Sequence, residues 1–449
     1  MKGFFKKLKE IYNHDELRKK ILLTLGLILI YRIGCYIVLP GVDSAKVQEY
    51  FNGLGASSGG GLNITDILSL FTGGAFTTAS IFALGIMPYI SASIIMQLMG
   101  MAVPSIQKMQ KEGESGRKKI NQWTRMLTIA ICLVQSPGYI LTSIPADARP
   151  DFALWMPSAV IILTCCTLFV MWLGEKITDK GIGNGISLLI MIGIIARFPQ
   201  SIVQEAAHPE SSFYFLLIEL AAFFVVIAGC VALVRAVRQV PVQRAKMNIG
   251  GHMPQGESKR DYIPIRVNSA GVMPIIFAQA IMFVPLYLRS SETFQDSAVL
   301  GALSDFGGFW YNFIFFLMIV IFTYFYTAIT VNPNTIADDL KRQGTFVPGI
   351  KPGRPTAEFL DVILSRITLP GSILLGLIAI LPAIVLTLGL VRTQDFSYFF
   401  GGTSLLIMVG VVLDTLQQVD SYLLSRHYDG LMKSGKLGGR GTSATGIAG

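Results

Sequence analysis

Side chains able to do covalent or acid–base chemistry are sparse in this 449-residue chain, and their spacing excludes most catalysis. The four histidines (His14, His208, His252, His427) all fall outside the long apolar runs. The five cysteines (Cys35, Cys132, Cys165, Cys166, Cys230) all fall inside them, without the CxxC or CxxH spacing of a redox pair or zinc site. They read as small packing residues. No HExxH, GxSxG or P-loop pattern occurs, so hydrolysis and nucleotide chemistry are not indicated, and no metal or cofactor is expected. Gly181-Ile182-Gly183-Asn184-Gly185 has the composition of a nucleotide loop but follows an apolar helix rather than a strand. It reads as a flexible lead-in to the next helix. Ion-coupled transport uses charged groups within the membrane, and the candidates are Glu219, Asp414 and Arg32. These lie near helix ends or can pair with one another, which suits a structural role equally well.

What the spacing does offer is aliphatic. Ile86 and Ile90 lie four apart on one helix face, and Ile186 and Ile190 repeat the arrangement. Isoleucine is short and stiff, so a ring of such side chains would form a dry constriction that gates by dewetting. The same spacing also describes ordinary packing residues in a membrane helix. Pro88, between the first pair, is expected to bend that helix or loosen its backbone bonding.

The elements that carry these residues are membrane helices. The chain is 52% hydrophobic and only 14% charged, against about 25% charged in soluble domains. Ten segments suit a hydrocarbon core about 30 Å thick: 21–39, 77–101, 123–144, 153–173, 185–202, 213–233, 269–288, 309–330, 369–390 and 403–424. The first is too long for a signal-peptide core and lacks a small-x-small cleavage site, so it is expected to stay as a membrane helix. Six basic segments (1–20, 102–122, 174–184, 234–268, 331–368, 425–449) hold 30 of the 37 Lys and Arg residues, the five segments on the other side hold 4, and Arg32, Arg125 and Arg197 fall within spans. The positive-inside rule puts the basic side, and with it both termini, in the cytoplasm.

Ten spans divide into five and five, and an odd-numbered repeat inserts upside down, as in inverted-repeat transporters and channels. The fold class is therefore an all-α polytopic membrane protein of ten transmembrane helices in two inverted halves. Residues 21–202 make the first half, 203–233 start the second with the sixth helix, and 269–424 complete it. The basic N-terminus is 1–20, the basic loops are 234–268 and 331–368, and the Gly/Ser/Thr-rich tail 425–449 is expected to be largely disordered. Within the second loop, three prolines stiffen Phe346–Pro355 and two glycines permit tight turns. Gly61–Phe71 is apolar but too short to span; it reads as a short helix hinged at Gly73-Gly74. At this level a protein-sized channel and an ion-coupled transporter of a small solute both remain open, while an intramembrane enzyme lacks any nucleophile, dyad or metal set.

Longer stretches decide between them. Phe82–Gln97 (FALGIMPYISASIIMQ), Glu112–Arg117, Gly174-Glu175, Gly181–Gly185, Phe346–Gly353 and Phe400–Ser404 resemble the SecY/Sec61-alpha family in the same order, from about residue 15 to about 430. The resemblance implies a clamshell channel that passes unfolded polypeptides across the membrane and releases apolar segments sideways into lipid. It implies a pore ring of Ile86, Ile90, Ile186, Ile190, Ile276 and Ile407. It places a plug over 61–71, with Ile64, Ile67, Leu68, Leu70 and Phe71 as its apolar face. It gives the lateral gate to the second and seventh spans, with a polar cluster of Ser91, Gln135 and Asn268. It makes the two long basic loops a docking surface for ribosomal RNA and the SecA ATPase, through Arg238, Arg244, Lys246, Lys351 and Arg354. The implied partners are SecE-like and SecG-like small membrane subunits, SecA, the ribosome, signal peptides and nascent chains, the lipid bilayer, and accessory subunits such as SecDF and YidC. The implied location is a bacterial inner membrane. Three positions depart from the family pattern: Lys351 and Arg238-Gln239 where arginine and an arginine pair are usual, and Thr77-Thr78 where an arginine is common. Lysine keeps the charge but loses the bidentate fork of arginine.

Overall fold

The computed structural model describes residues 15–57, 69, 72–150, 152, 154–207, 213–244, 261–289, 298–304, 307–391 and 393–433. Its ten principal helices follow the ten expected spans: α1 (Asp15–Gly34), α3 (Met87–Ala102), α5 (Glu114–Ser143), α6 (Trp155–Lys180), α7 (Gly185–Ala207), α8 (Phe213–Arg235), α9 (Met273–Arg289), α11 (Phe309–Thr330), α13 (Arg354–Thr387) and α15 (Gly402–Lys433). Shorter helices connect them: α2 (Ser44–Ser57), α4 (Pro104–Lys111), α10 (Ala298–Ser304), α12 (Pro333–Arg342) and α14 (Gln394–Ser397). Among the described residues, seven helices are long and apolar enough to cross a membrane. The other three spans fall short for separate reasons. Charges crowd the start of α1, and α3 and α9 have 16 and 17 residues.

The second span differs from its sequence expectation in a specific way. Residues 72–86 form a run of turns, and the helix begins only at Met87. Positive φ at Gly73, Gly74, Ala79 and Gly85 keeps the run from being helical. Pro88 therefore does not bend a helix. It sits in the first turn of α3, where its missing N–H has no partner to lose. Backbone that is irregular at membrane depth has to be buried in protein, and this run is: Ala75, Ala79, Ser80 and Ala83 are at most 1% exposed.

One apolar cluster runs through the bundle, with buried residues from α1, α6, α7, α8, α9, α11, α13 and α15. Outside it, large apolar residues such as Leu25, Leu29, Val134, Phe224, Val225, Phe325 and Leu377 are exposed. A soluble domain would bury most of them, whereas helices in lipid leave them facing the hydrocarbon. Several buried hydroxyls are satisfied within their own helix: Thr128, Ser136, Thr167, Thr323 and Thr368 each donate to the carbonyl four residues back.

The two basic loops do not stay separate connectors. Strands β1 (Val237–Arg244) and β2 (Asp261–Arg266) from the first loop pair antiparallel, and β3 (Thr345–Phe346) from the second joins the far edge of β1, in the order β2-β1-β3. Pro241 faces Tyr262 and Pro264 faces Gln239, two register positions apart. Both prolines thus fall in the same class of cross-strand pair. Beneath the sheet, Val240, Ile265, Leu340, Leu360 and Leu364 form a separate small core. Helix α12 is fixed there by Asn332, whose Oδ1 accepts from Asn334 N at 3.0 Å, with Pro333 in the first turn.

Candidate functional site

Five of the six isoleucines belong to or pack against one apolar cluster. Ile86, Ile190 and Ile407 are buried, 5–7% exposed, in the same apolar cluster, and Ile90 and Ile186 pack against it. Ile86 ends the irregular run and caps α3, its carbonyl accepting from Ile90 N at 3.1 Å. Ile186 and Ile190 lie on the first turns of α7, and Ile407 on α15. The space at Gly174 on α6 is filled by Ile186, whose Cγ1 would lie 3.1 Å from a Cβ there. Ile276, in the first turn of α9, is half-buried next to Ile275, a fully buried member of the cluster. The buried members of that cluster come from both halves and include aromatic, tyrosine and cysteine side chains but no Asp, Glu, Lys, Arg or His. Such a junction excludes water and ions by having nothing to solvate them.

The expected plug residues Ile64, Ile67, Leu68, Leu70 and Phe71 lie outside the described residues, as does Lys246. Ser69 within 61–71 and Gly73 just after it are each met by an arginine. Arg197 of α7 donates to Ser69 Oγ, and Arg32 of α1 donates to Gly73 O at 3.4 Å and to Tyr36 Oη at 3.1 Å. Arg32 ion-pairs with neither Glu219 nor Asp414; Glu219 is buried in α8 and Asp414 is exposed on α15. The three residues of the expected gate cluster are not joined by a hydrogen bond. Ser91 donates back to Met87 O at 3.2 Å, Gln135 is exposed on α5, and Asn268 precedes α9 with its Oδ1 buried and without a partner among the described residues.

At the basic end, Arg238 is exposed on β1, and the backbone of Arg244 pairs with Thr345 where the two loops meet. Lys351 and Arg354 are exposed on the turn that leads into α13. Arg354 reaches Glu358 at 3.4 Å, a surface i,i+4 pair that leaves its guanidinium open to solvent. The turn itself is fixed by Thr356 Oγ1 donating to Lys351 O at 2.9 Å. The period-two spacing of Val240 and Val242, matched by Ile263 and Ile265, is a strand signal for β1 and β2, masked by Pro241 and Pro264 between them. The short β3 carries no such signal.

One buried carboxylate went unmarked by the sequence. Glu205, at the end of α7 and fully buried, accepts from Thr393 N at 2.8 Å and from Thr393 Oγ1. This fastens the fifth principal helix to the connection before the tenth, 188 residues away. Thr393→Val deletes one donor to a buried charge, and we expect it to lower the thermal midpoint in detergent, by about 1–3 kcal/mol of stability. Identical melting curves would show that the contact carries no weight.

Among the described residues no cluster of histidine, cysteine, aspartate and glutamate suits a metal ion. The model of the SecY family matches residues 80–416. The protein translocase subunit SecY of Mycobacterium tuberculosis (strain CDC 1551 / Oshkosh) is 41% identical over 436 residues, covering 93% of this chain and 97% of the relative. That of Streptomyces scabiei is 41% identical over 438 residues, covering 94% and 98%. Among solved structures, a protein-conducting channel matches with TM-score 0.57 at 16% identity, over 89% of this chain and 91% of that one. An idle yeast Ssh1 complex on the 80S ribosome matches with TM-score 0.57 at 14% identity, over 97% and 94%. At these identities the structural likeness speaks for the fold.

Proposed function

The chain belongs to the SecY family and is a polytopic protein-conducting channel rather than an enzyme, and from that premise we propose which of its parts seal, open and dock it. Unfolded secretory polypeptides cross the membrane through the bundle, and apolar segments leave it sideways into lipid. The seal is the ring Ile86, Ile90, Ile186, Ile190, Ile276 and Ile407. The observation that supports this reading is that five of these side chains, from the start of α3, from α7 and from α15, belong to or pack against one apolar cluster whose buried members include no Asp, Glu, Lys, Arg or His.

The plug is the segment 61–71. The side exit lies between α3 and α9, where Ser91, Gln135 and Asn268 tune how apolar a segment must be to open it. The unpartnered Oδ1 of Asn268 supports this, because a buried acceptor with no donor raises the energy of the closed state. The basic sheet and the turn at Lys351 and Arg354 form the docking face, turned to the cytoplasm of a bacterium. Both termini lie on that side, and the halves divide after residue 202. SecE-like and SecG-like subunits, SecA and the ribosome are the partners. Solved channels of this fold have been seen on ribosomes, and RNA phosphates suit an exposed basic surface.

Two experiments test these assignments. Purification in mild detergent should recover small membrane proteins of one to three spans with the chain; recovery of the chain alone would contradict the assembly. Reversing Lys351 and Arg354 to glutamate should weaken ribosome binding at low salt by about tenfold or more while leaving membrane insertion intact. Unchanged affinity at low salt would remove the turn from the docking face.

A further inference from the structure

The glycine-rich loop Gly181–Gly185 is neither a nucleotide site nor a loose connector. It is a buried turn whose exposed donors are met by side chains from three helices. Ile182 N donates to Thr24 Oγ1 of α1 at 3.2 Å, Gly183 N to Gln418 Oε1 of α15 at 2.9 Å, and Gly185 N to Thr178 Oγ1 of α6 at 2.9 Å. Asn184 Oδ1 accepts from Ile186 N at 3.2 Å and caps α7. A Cβ at Gly181 would stand 2.5 Å from Thr24 Oγ1, and one at Gly183, where φ is +83°, 3.0 Å from Thr415 Oγ1. The loop is therefore clasped between α1 and α15. The chain leaving it carries Ile186 and Ile190 within two turns.

The same stretch of α15 reaches the basic sheet. Gln417 Oε1 accepts from Arg266 Nη2 at 3.2 Å, and Arg266 is the last residue of β2. One turn on, Tyr422 takes Lys20 Nζ at 2.9 Å, with the ammonium 4.3 Å from the ring centre. Gln417 and Gln418 are consecutive on one rigid helix. A contact path therefore runs from β2 through Arg266 and Gln417 to Gln418 and the foot of α7. Coupling of this kind needs packed or hydrogen-bonded elements that are continuous from one site to the other, and here each step is a hydrogen bond or a covalent neighbour.

We propose that Gln418 is a positioning residue that couples loading of the basic sheet to the seal, through its hydrogen bond to Gly183 at the foot of α7. The proposal rests on the docking and sealing roles given above. It differs from a static brace in one respect. Losing the bond should separate docking from opening rather than weaken both.

The test uses the full chain with its small membrane subunits in liposomes, and ribosomes bearing a stalled nascent chain with a signal sequence as the probe. Ribosome affinity and triggered ion flux are measured on the same preparations. Gln418→Met keeps the length and loses the acceptor; Gln418→Glu keeps the acceptor; Thr24→Val removes a different acceptor from the same loop. We expect Gln418→Met and Thr24→Val to bind ribosomes within about twofold of the unmodified protein but to show about tenfold less triggered flux, and Gln418→Glu to restore it. Full flux in Gln418→Met, or parallel loss of binding and flux in both acceptor-deleting variants, would overturn the coupling. Absence of ribosome binding by the unmodified protein would overturn the docking role, and the coupling with it.

Discussion

Replacing Ile86 and Ile190 together with glycine makes the resting membrane conduct ions. The two side chains stand on different elements, Ile86 at the head of α3 and Ile190 on α7, and both are buried in the apolar cluster that runs through the bundle. Each contributes apolar surface worth about 1.5–3 kcal/mol against water. At about 1.4 kcal/mol per tenfold change, removing both should raise the hydrated fraction of the junction by about 100-fold or more. Serine in place of glycine should act in the same direction, since its hydroxyl offers water a partner. Ion flux into liposomes at rest is the readout. Flux that stays at the level of the unmodified protein would remove these two isoleucines from the seal.

Gly185→Val should prevent the chain from accumulating in a folded form. The helices α6 and α7 cross at Gly174 and Gly185, and a Cβ at Gly185 would lie 1.9 Å from Gly174 O and 2.7 Å from Ile177 Cβ. Backbone blocks it from one side and a branched side chain from the other, so neither can yield by changing rotamer. Overpacking usually costs about 1–3 kcal/mol where a core can adjust; here the helix crossing itself has to open, and Thr178 Oγ1 would lose Gly185 N as well. Gly229→Ala is the matched control, because nothing lies within 4 Å of its Cβ. In detergent, the control should show native monodispersity and melting, and Gly185→Val should not. A well-behaved Gly185→Val protein would show that the close crossing is not required.

The ten spans were legible because lipid imposes a single composition on anything that crosses it, and that composition persists for about 20 residues at a time. What escaped the sequence is non-local or depends on single dihedral angles. The second span looks continuous from 77 to 101, yet φ of +48° at Ala79, a residue without glycine's freedom, keeps its first half in turns. Nothing in the composition marks that. The pairing of β1 with β3 joins two loops roughly a hundred residues apart in sequence, and Glu205 meets Thr393 across a gap of 188. The candidate ring was legible for a different reason. Ile86, Ile90, Ile186 and Ile190 are ordinary packing residues by spacing, and only the long family stretches around them single them out. The glycine loop illustrates the reverse case. Its motif was visible at once, but its meaning lies in Thr24 and Gln418, separated from it by 158 and 235 residues.

The most direct measurement follows an unfolded precursor. Liposomes carrying the full chain with its small membrane subunits, given SecA, ATP and a signal-bearing precursor held unfolded, should acquire precursor that external protease cannot reach until detergent is added. The account predicts protected full-length precursor that depends on the signal sequence and on this chain. Precursor left fully digestible by protease, with uptake of a small solute driven by an ion gradient in the same liposomes, would contradict it.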